Sequence, residues 1–422
     1  MLRGTWAAVL AGASLIACGA EAGGPAAGLQ VVTETLGDTT VIRTLAGSAW
    51  GTDATLVPEL SIGEMEGPEE LLFGRIASIA VDDEGRIHVL DGQALNLRVF
   101  DPAGEHIETL GGPGEGPGEL RTAESVVLLA DGRVAVNDQI DFRIQVYEPG
   151  GGGSETWSYS AGGVVLRVRQ LYPDRYGGAF VLAPQVTPSG DFVPQILALD
   201  ATGAARDTLL PPGAGFEPPS VELELFMGSG SSRRIAQPIP LTERHYWTLN
   251  PEGRFVTGVS TDYRIDVERD GGVLRIERAH EPVAASEAER GYHRERLTRA
   301  MRVTQPDWSW NGPPVPETKP PFRGLVAGRD GRIWVRLWTE AHPEENEDHD
   351  PENPRSEPVT WPSPLRYDVF EPDGTYLGAV NPPEGFADYP QPVFDGDYVW
   401  AVTRDALDVE RVVRFRLEVG WR

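Results

Sequence analysis

The sequence is almost without cysteine: Cys18 is the only one among 422 residues. A disulfide within one chain is therefore impossible, and so is a zinc site built from C-x-x-C pairs. Disulfides often stabilise proteins of oxidising compartments. If this chain works in such a compartment, packing alone must hold its fold together.

Basic charge is also scarce. The chain has 37 Lys and Arg against 64 Asp and Glu, which gives a formal net charge of −27. A strongly negative surface repels phosphate backbones and anionic lipid headgroups. We therefore predict no nucleic-acid partner and no electrostatic adhesion to a membrane.

The N-terminal apolar run, Trp6 to Ile16, is too short to span a bilayer, which needs about 20 residues. Arg3 precedes it, and Leu15-Ile16-Ala17-Cys18-Gly19 ends it. This pattern resembles the lipobox of bacterial lipoproteins, which implies cleavage before Cys18 and a diacylglycerol on its thiol. An ordinary signal peptide with a chance cysteine, or a buried start of the domain, is the alternative.

The lipobox resemblance divides the chain into a signal peptide (1–17), a lipidated flexible tether (18–29) and one domain (30–422). It implies a location in the bacterial cell envelope, on the periplasmic or cell-surface side. The membrane would be reached through the lipid anchor only. Gly19, rather than Asp, follows the cysteine, which favours the outer over the inner membrane.

Familiar catalytic motifs are missing. The sequence contains no G-x-S-x-G, H-E-x-x-H or C-x-x-C pattern, and its seven histidines are widely spaced. The glycine-rich stretch 111–120 lacks the lysine and the spacing of a phosphate-binding loop. We assign no catalytic residue and predict no cofactor, with Ca²⁺ or Zn²⁺ as the ions to test.

Turn-forming residues, in contrast, are abundant: 49 Gly and 36 Pro. Two similar units cover residues 78–104 and 125–150, and Gly85 lies 47 residues before Gly132, the spacing of one propeller blade. The pairs Glu84-Gly85 and Asp131-Gly132 each separate two β-rich runs, where a tight hairpin needs a residue with positive φ.

Fainter copies follow near 178–200, 246–277, 330–374 and 393–417. A four-stranded sheet cannot bury both faces alone, and a ring of sheets solves this. The units resemble NHL repeats, and the whole resembles the six-bladed propeller lipoproteins of bacteria. We predict an all-β six-bladed β-propeller of four-stranded antiparallel blades. The last unit has three strands, so we expect residues 30–35 or 39–44 to supply the fourth.

Insertions are predicted near 215–240, 284–322 and 340–362. The second contains the one predicted helix, Ala284 to Val303, which begins with a capping box of Ser286 and Glu289. Its basic face should dock on the acidic ring, with an anionic partner as the alternative; this face comprises Arg290, Arg294, Arg296, Arg299 and Arg302. The acidic run 344–350 lacks the EF-hand pattern and should be a solvated mobile loop rather than a Ca²⁺ site.

Polar residues recur on the second strands of the first two units. His88 is expected to be packed or at an edge rather than to bind a metal. Asp91 and Asp138 are each followed by an arginine, Arg98 or Arg143. Recurrence at equivalent positions favours a structural role, in which each carboxylate caps loop amides or pairs with its arginine.

Ligand-binding candidates are aromatic or basic residues on the inner strands of the last three units: His245, Trp334, Arg336 and Trp400. We predict a lipid-anchored binding or scaffold module for a protein, peptide or glycan partner. The alternative is a metal-assisted lyase or hydrolase with its site in the central channel. Channel ligands come from different blades, so linear spacing does not reveal them.

Overall fold

The β-rich runs of the sequence form strands, and the strands form six antiparallel sheets around one axis. This computed structural model describes residues 28–139, 142–159, 170–183, 185–186, 192–213, 215–227, 231–347, 349–353 and 356–420. The predicted signal peptide and Cys18 lie outside the described residues. The fold is a six-bladed β-propeller, as the sequence predicted.

Three strands precede the first blade. They are β1 (Gln30–Leu36), β2 (Thr39–Ala46) and β3 (Ala54–Ile62). Short 3-10 helices occur in two connections, at Glu69–Leu71 and Pro149–Gly151.

The first three blades follow in chain order. Blade one contains β4 (Ile76–Val81), β5 (Ile87–Asp91), β6 (Asn96–Phe100) and β7 (His106–Gly111). Blade two contains β8 (Ser125–Leu128), β9 (Val134–Asp138), β10 (Arg143–Tyr147) and β11 (Ser154–Ser158). Blade three contains β12 (Leu171–Pro173), β13 (Ala179–Leu182), β16 (Ile196–Leu199) and β17 (Ala205–Leu209), with a hairpin of β14 (Gln185–Val186) and β15 (Phe192–Val193) between its second and third strands.

A hairpin of β18 (Ser220–Met227) and β19 (Ser231–Pro238) precedes blade four. Blade four contains β20 (His245–Leu249), β21 (Phe255–Val259), β22 (Arg264–Arg269) and β23 (Gly272–Arg278). The next insertion holds β24 (Val283–Ala284), the helix α1 (Glu287–Thr304) and β25 (Thr318–Lys319).

Blade five contains β26 (Phe322–Ala327), β27 (Ile333–Leu337), β30 (Tyr367–Phe370) and β31 (Tyr376–Asn381). Between its second and third strands lie β28 (Glu344–Glu345) and β29 (Val359–Thr360). Blade six contains β32 (Val393–Asp395), β33 (Tyr398–Arg404) and β34 (Glu410–Val419). The three predicted insertions thus correspond to these three excursions.

The fourth strand of blade six comes from the N-terminal part of the chain. It is β3, which pairs antiparallel with β34 from Ala54–Val419 to Ile62–Val412. The expectation that residues 30–35 or 39–44 close the ring is therefore wrong. The two-residue turn after Leu36 pairs β1 with β2 locally, and β2 then lies parallel to β23, so the hairpin widens blade four instead.

The hydrophobic core lies between neighbouring blades. Val256, Ile265 and Phe322 are at most 1% exposed between blades four and five. Trp334 and Phe394 stack between blades five and six, with ring centroids 4.1 Å apart. Burying each such side chain contributes ~1.5–3 kcal/mol, which explains how the ring is stable without a disulfide.

The two faces of the ring differ because strands alternate in direction. The connection after a second strand and the connection to the next blade emerge on the same face, while the turn after a first strand emerges on the other. All the insertions stand in connections of the former kind. We call that side the insertion face and the opposite side the turn face.

Candidate functional site

The centre of the ring is a cavity of about 740 Å³. Residues from all six innermost strands line it, namely β4, β8, β12, β20, β26 and β32. Its lining extends from the turns at Asp82 and Asp174 on the turn face to Arg336 and Asp388 on the insertion face. Channels of this size commonly hold ligands in proteins.

At the turn face, charges on the channel wall are paired. Arg86 donates from Nε to Asp82 at 2.5 Å, and Arg329 donates to Asp395 at 2.7 Å. Asp174 is 3.0 Å from Arg206. These three arginines therefore have carboxylate partners, as expected for a structural rim, and Arg175 contacts the hydroxyl and the ring of Tyr176 instead.

At the insertion face, two arginines of blade five lie side by side. Gly324 pairs with Arg336, Phe322 pairs with Leu337, and the register shifts between them, so Arg323 is the extra residue of a β-bulge. A bulge redirects side chains. Arg323 consequently leaves the core side occupied by Phe322, and its guanidinium lies 4.6 Å from the ring centre of Trp338.

We call Arg323, Arg336, Asp388 and Trp338 the arginine cluster. Arg336 forms an ion pair with Asp388, and both side chains are about one-quarter exposed, at 28% and 24%. Burial, together with the positive charge of Arg336, lowers the pKa of Arg323 to about 10. Neither arginine Nε has a hydrogen-bond partner among the described residues.

Two tyrosines stand beside the cluster. Burial raises the pKa of Tyr246 and of Tyr367, so both hydroxyls are neutral at physiological pH. Tyr367 also packs in the core against Trp334, with ring centroids 6.0 Å apart. These rings keep bulk water from one side of the cluster, which strengthens its electrostatic interactions.

The insertions build a rim beside this mouth. The side chain of Ser286 accepts a hydrogen bond from the Glu289 amide at 3.1 Å, as the predicted capping box requires. The Glu289 carboxylate, however, lies 2.7 Å from the ammonium of Lys319 rather than returning to the cap. Both side chains are at most 2% exposed, so this ion pair fastens α1 to β25.

The hairpin β18–β19 joins the same rim. Trp308, which follows α1, donates from its indole to the carbonyl of Glu222 at 2.8 Å. Met301, Val221 and Leu223 pack in one apolar cluster with it. The predicted basic face docks mainly on other insertion residues: Arg290 on Glu317, Arg294 on Trp310, Arg299 on Glu357 and Arg302 on the Trp308 carbonyl.

The structural role predicted for the repeated Asp–Arg pairs is confirmed by their contacts. Asp138 is fully buried and accepts from the Thr122 amide at 2.8 Å and from Arg143 Nε at 2.7 Å. Asp91 accepts from the amides of Gly74 and Gln93, both at 2.9 Å. We call these pairs, Asp91–Arg98 and Asp138–Arg143, the staples, because each ties a blade to the connection before it.

Of the four predicted ligand-binding residues, only Arg336 lines the channel. Trp334 and Trp400 are 1% and 6% exposed in the cores between blades, where aromatic packing accounts for them. His245 lies at the start of β20, with Nε2 2.6 Å from the hydroxyl of Thr257. These four side chains therefore do not form one site.

Arg323 was missed at the sequence level, although a signal for it exists. A glycine inside a strand pattern often marks a bulge, and Gly324 directly follows Arg323. The side of the blade to which the bulge turns Arg323 depends on the packing of the neighbouring blades. The sequence alone could therefore not have placed Arg323 next to Arg336.

Two further predictions concern metals. His88 is 5% exposed, and its Nε2 lies 3.4 Å from Asp82, which fits the expected packed histidine. The acidic run is not a loop throughout, because Glu344 and Glu345 pair with Thr360 and Val359. In the described part of the chain, no three His, Cys, Asp or Glu side chains are grouped to hold a metal ion.

Comparisons with known proteins agree with the fold. The profile of the family DUF5128, described as a 6-bladed beta-propeller, matches residues 62–148, which span the end of β3, blade one and the first three strands of blade two. Among curated proteins, none matches this sequence. No helix in the described ranges is long and apolar enough to cross a membrane.

Several solved structures are similar to this chain at low sequence identity. A DUF4221 family member from Bacteroides vulgatus has a TM-score of 0.47 and 11% identity, covering 87% of this chain and 98% of its own. A candidate exported protein from Bacteroides fragilis has a TM-score of 0.46 and 11% identity, and the match covers 90% of this chain and 99% of that protein. A streptogramin B lyase has a TM-score of 0.42 and 11% identity, and the match covers 88% of this chain and 100% of that protein.

Proposed function

We propose that this chain is an NHL-like propeller lipoprotein that works outside the cytoplasm, anchored by a lipid on Cys18. Its ring is a binding or scaffold module, and its partner is a protein, peptide or glycan bound at the insertion face. The partner does not include nucleic acid, because the net charge of −27 repels phosphate backbones.

The observation that carries this proposal is the asymmetry of the ring. In the described ranges, the turn face consists of short turns, whereas the insertions stand on the other face, around the mouth that Arg336 and Asp388 line. Long connections on a rigid scaffold are typical positions of binding residues. The insertion face is therefore where a partner gains most contact.

Site-specific photo-crosslinking in cells tests the binding face. A photoreactive residue replaces exposed Arg296 on α1 or, as the matched control, exposed Glu84 on the turn face. We expect a crosslinked band from position 296 and none from position 84. Crosslinks from position 84 alone would contradict the assigned face.

The non-enzymatic part of the proposal has its own test. The full chain is purified in detergent without a tag, and its metal content is measured. We expect no stoichiometric metal. One equivalent of bound Zn²⁺ or Ca²⁺ would contradict the proposal and favour a metal-assisted lyase or hydrolase.

The anchor is tested by Cys18→Ser. We expect the variant to leave the membrane fraction, because the acyl chains supply ~0.8 kcal/mol per buried CH₂ and are the only proposed attachment. Wild-type protein should sediment with outer rather than inner membranes. A Cys18→Ser chain that remains in the membrane pellet would show that the anchor is wrong.

A further inference from the structure

We propose that the arginine cluster binds a carboxylate group of the partner. This inference deepens the proposed function, since it names the chemistry recognised at the insertion-face mouth. It starts from an excess of positive charge at one place in a strongly acidic protein.

The charges of the cluster do not cancel. Arg323 and Arg336 are both half-buried, and among the described residues Asp388 forms an ion pair with Arg336 and is the carboxylate whose charge raises the pKa of Arg323. Glu124 also lines the channel, but it precedes the first strand of blade two, which stands opposite blade five in a six-bladed ring. The cluster therefore retains one net positive charge, which a monoanion would balance.

Hydrogen-bond donors are available as well as charge. The Nε atoms of both arginines are buried and unpartnered among the described residues. A guanidinium offers five donors in a planar fork that matches the two oxygens of a carboxylate. Asp388 forms an ion pair with Arg336 alone, so the neighbouring guanidinium of Arg323 is available to a second carboxylate.

The β-bulge holds Arg323 beside Arg336, although the two positive charges repel each other. Without the bulge at Arg323, the two arginines would not share a side of blade five. Burial, and after it the repulsion by the charge of Arg336, lowers the pKa of Arg323. The guanidinium of Arg323 lies over the ring of Trp338, and the charge of Asp388 offsets part of this unfavourable shift. A ligand that neutralises the pair explains this otherwise unfavourable arrangement.

A carboxylate fits the cluster better than a phosphate. A phosphate dianion would leave an excess negative charge in a protein that already carries −27. Carboxylates occur both in uronic acids and at peptide ends. The test therefore contains one probe of each kind, together with a neutral counterpart of the same shape.

The experiment is calorimetric titration of the detergent-purified full chain. The probes are D-galacturonate against D-galactose, and N-acetylalanine against its amide. We expect saturable binding of at least one acid and of neither neutral compound. The acid that binds more tightly identifies the source of the carboxylate.

Arg323→Gln should weaken binding of that acid about tenfold or more, because a charge-assisted hydrogen-bond pair is lost. Arg323→Lys, which keeps the charge but not the fork, should show a smaller loss. The matched control is Arg175→Gln at the turn-face end of the same channel, which should bind like wild type.

Thermal unfolding separates this role from a structural one. Removing one of two repelling charges should leave the melting temperature of Arg323→Gln equal to or above that of wild type. A purely structural Arg323 would predict a lower melting temperature and unchanged affinity, which would overturn the inference.

Two other results would also overturn it: binding of neither acid, or equal affinity in the Arg323→Gln and Arg175→Gln variants. Photo-crosslinking from position 296 reports on the binding face independently of any carboxylate. The proposed function and this inference can therefore fail separately.

Discussion

Arginine and aspartate side chains occur on both sides of the insertion face, but their charges are paired differently on the two sides. Beside blades one and two, the connections are short, and the staples bury Asp91 and Asp138 with every carboxylate oxygen bonded to arginine or amide donors. Beside blades four and five, the connections are long, and Arg323 and Arg336 share a single carboxylate.

The difference teaches how to distinguish structural from functional charge in this ring. Replacing either partner of a buried, fully hydrogen-bonded ion pair strongly destabilises the fold, because the other charge is then left uncompensated in a poorly solvated site. A pair of like charges with unused donors gains from a ligand instead. The predictions below test this contrast, beginning with the largest expected effect.

The staple of blade two should be the most sensitive point. Asp138→Ala removes the buried carboxylate that accepts from Arg143 Nε and from the Thr122 amide, so we expect a loss of ~3–5 kcal/mol in the free energy of unfolding. Urea denaturation measures it. Asp131→Ala is the matched control: its carboxylate pairs with Arg133 but is 43% exposed, so the loss should stay below ~1 kcal/mol. Equal losses of unfolding free energy in Asp138→Ala and Asp131→Ala would show that the buried staple is no more important for stability than an exposed ion pair.

The rim beside blades four and five should weaken in acid before the staples do. Burial, together with the nearby charges of Arg296 and Lys319, lowers the pKa of His293 on α1 to about 4. Because the folded pKa lies below the unfolded value of about 6.5, the stabilisation is complete above pH 6.5 and is lost as the pH falls towards 4. We expect a loss of ~1–2 kcal/mol, since partial solvent access reduces the full linkage value.

Hydrogen exchange locates that effect. The protection factors of α1 amides should fall between pH 6.5 and pH 4.5, while those of β9 and β10 change less. His293→Gln should abolish the pH dependence of α1. If the variant kept the wild-type dependence, another group would have to be responsible.

The arginine cluster should show the smallest change in stability, with an opposite effect on binding. Asp388→Asn removes the one counter-charge of Arg336, and because both groups are partly exposed we expect a loss of only ~1 kcal/mol in urea denaturation. Affinity for the carboxylate probe should rise, since the positive charges of both arginines are then balanced by the probe alone. A fall in affinity would mean that Asp388 itself contacts the ligand.

Local patterns predicted much of this molecule. The Glu84-Gly85 and Asp131-Gly132 turns, the Asp91–Arg98 and Asp138–Arg143 pairs and the capped helix all depend on residues close in sequence, and all are present. Ring closure was assigned to the wrong segment because β1, β2 and β3 are all plausible strands. Only β3 can meet β34, once β1 and β2 have paired with each other.

The candidate site was predicted less well for a related reason. Trp334 and Trp400 have the chemistry of ligand contacts, but the stacking of blades turns both into the core. Arg336 was among the predicted ligand-binding residues and lines the channel, whereas Arg323 was not predicted, because a one-residue bulge decides the side of the blade on which it lies.

The sequence by itself determined the number of blades, the positions of their turns, the absence of disulfides and the acidity of the surface. These follow from composition and from interactions within about 50 residues. The tertiary structure alone decided which strand closes the ring, which face carries the insertions and where two like charges meet. Those outcomes depend on strands far apart in the chain, whose pairing no local propensity encodes.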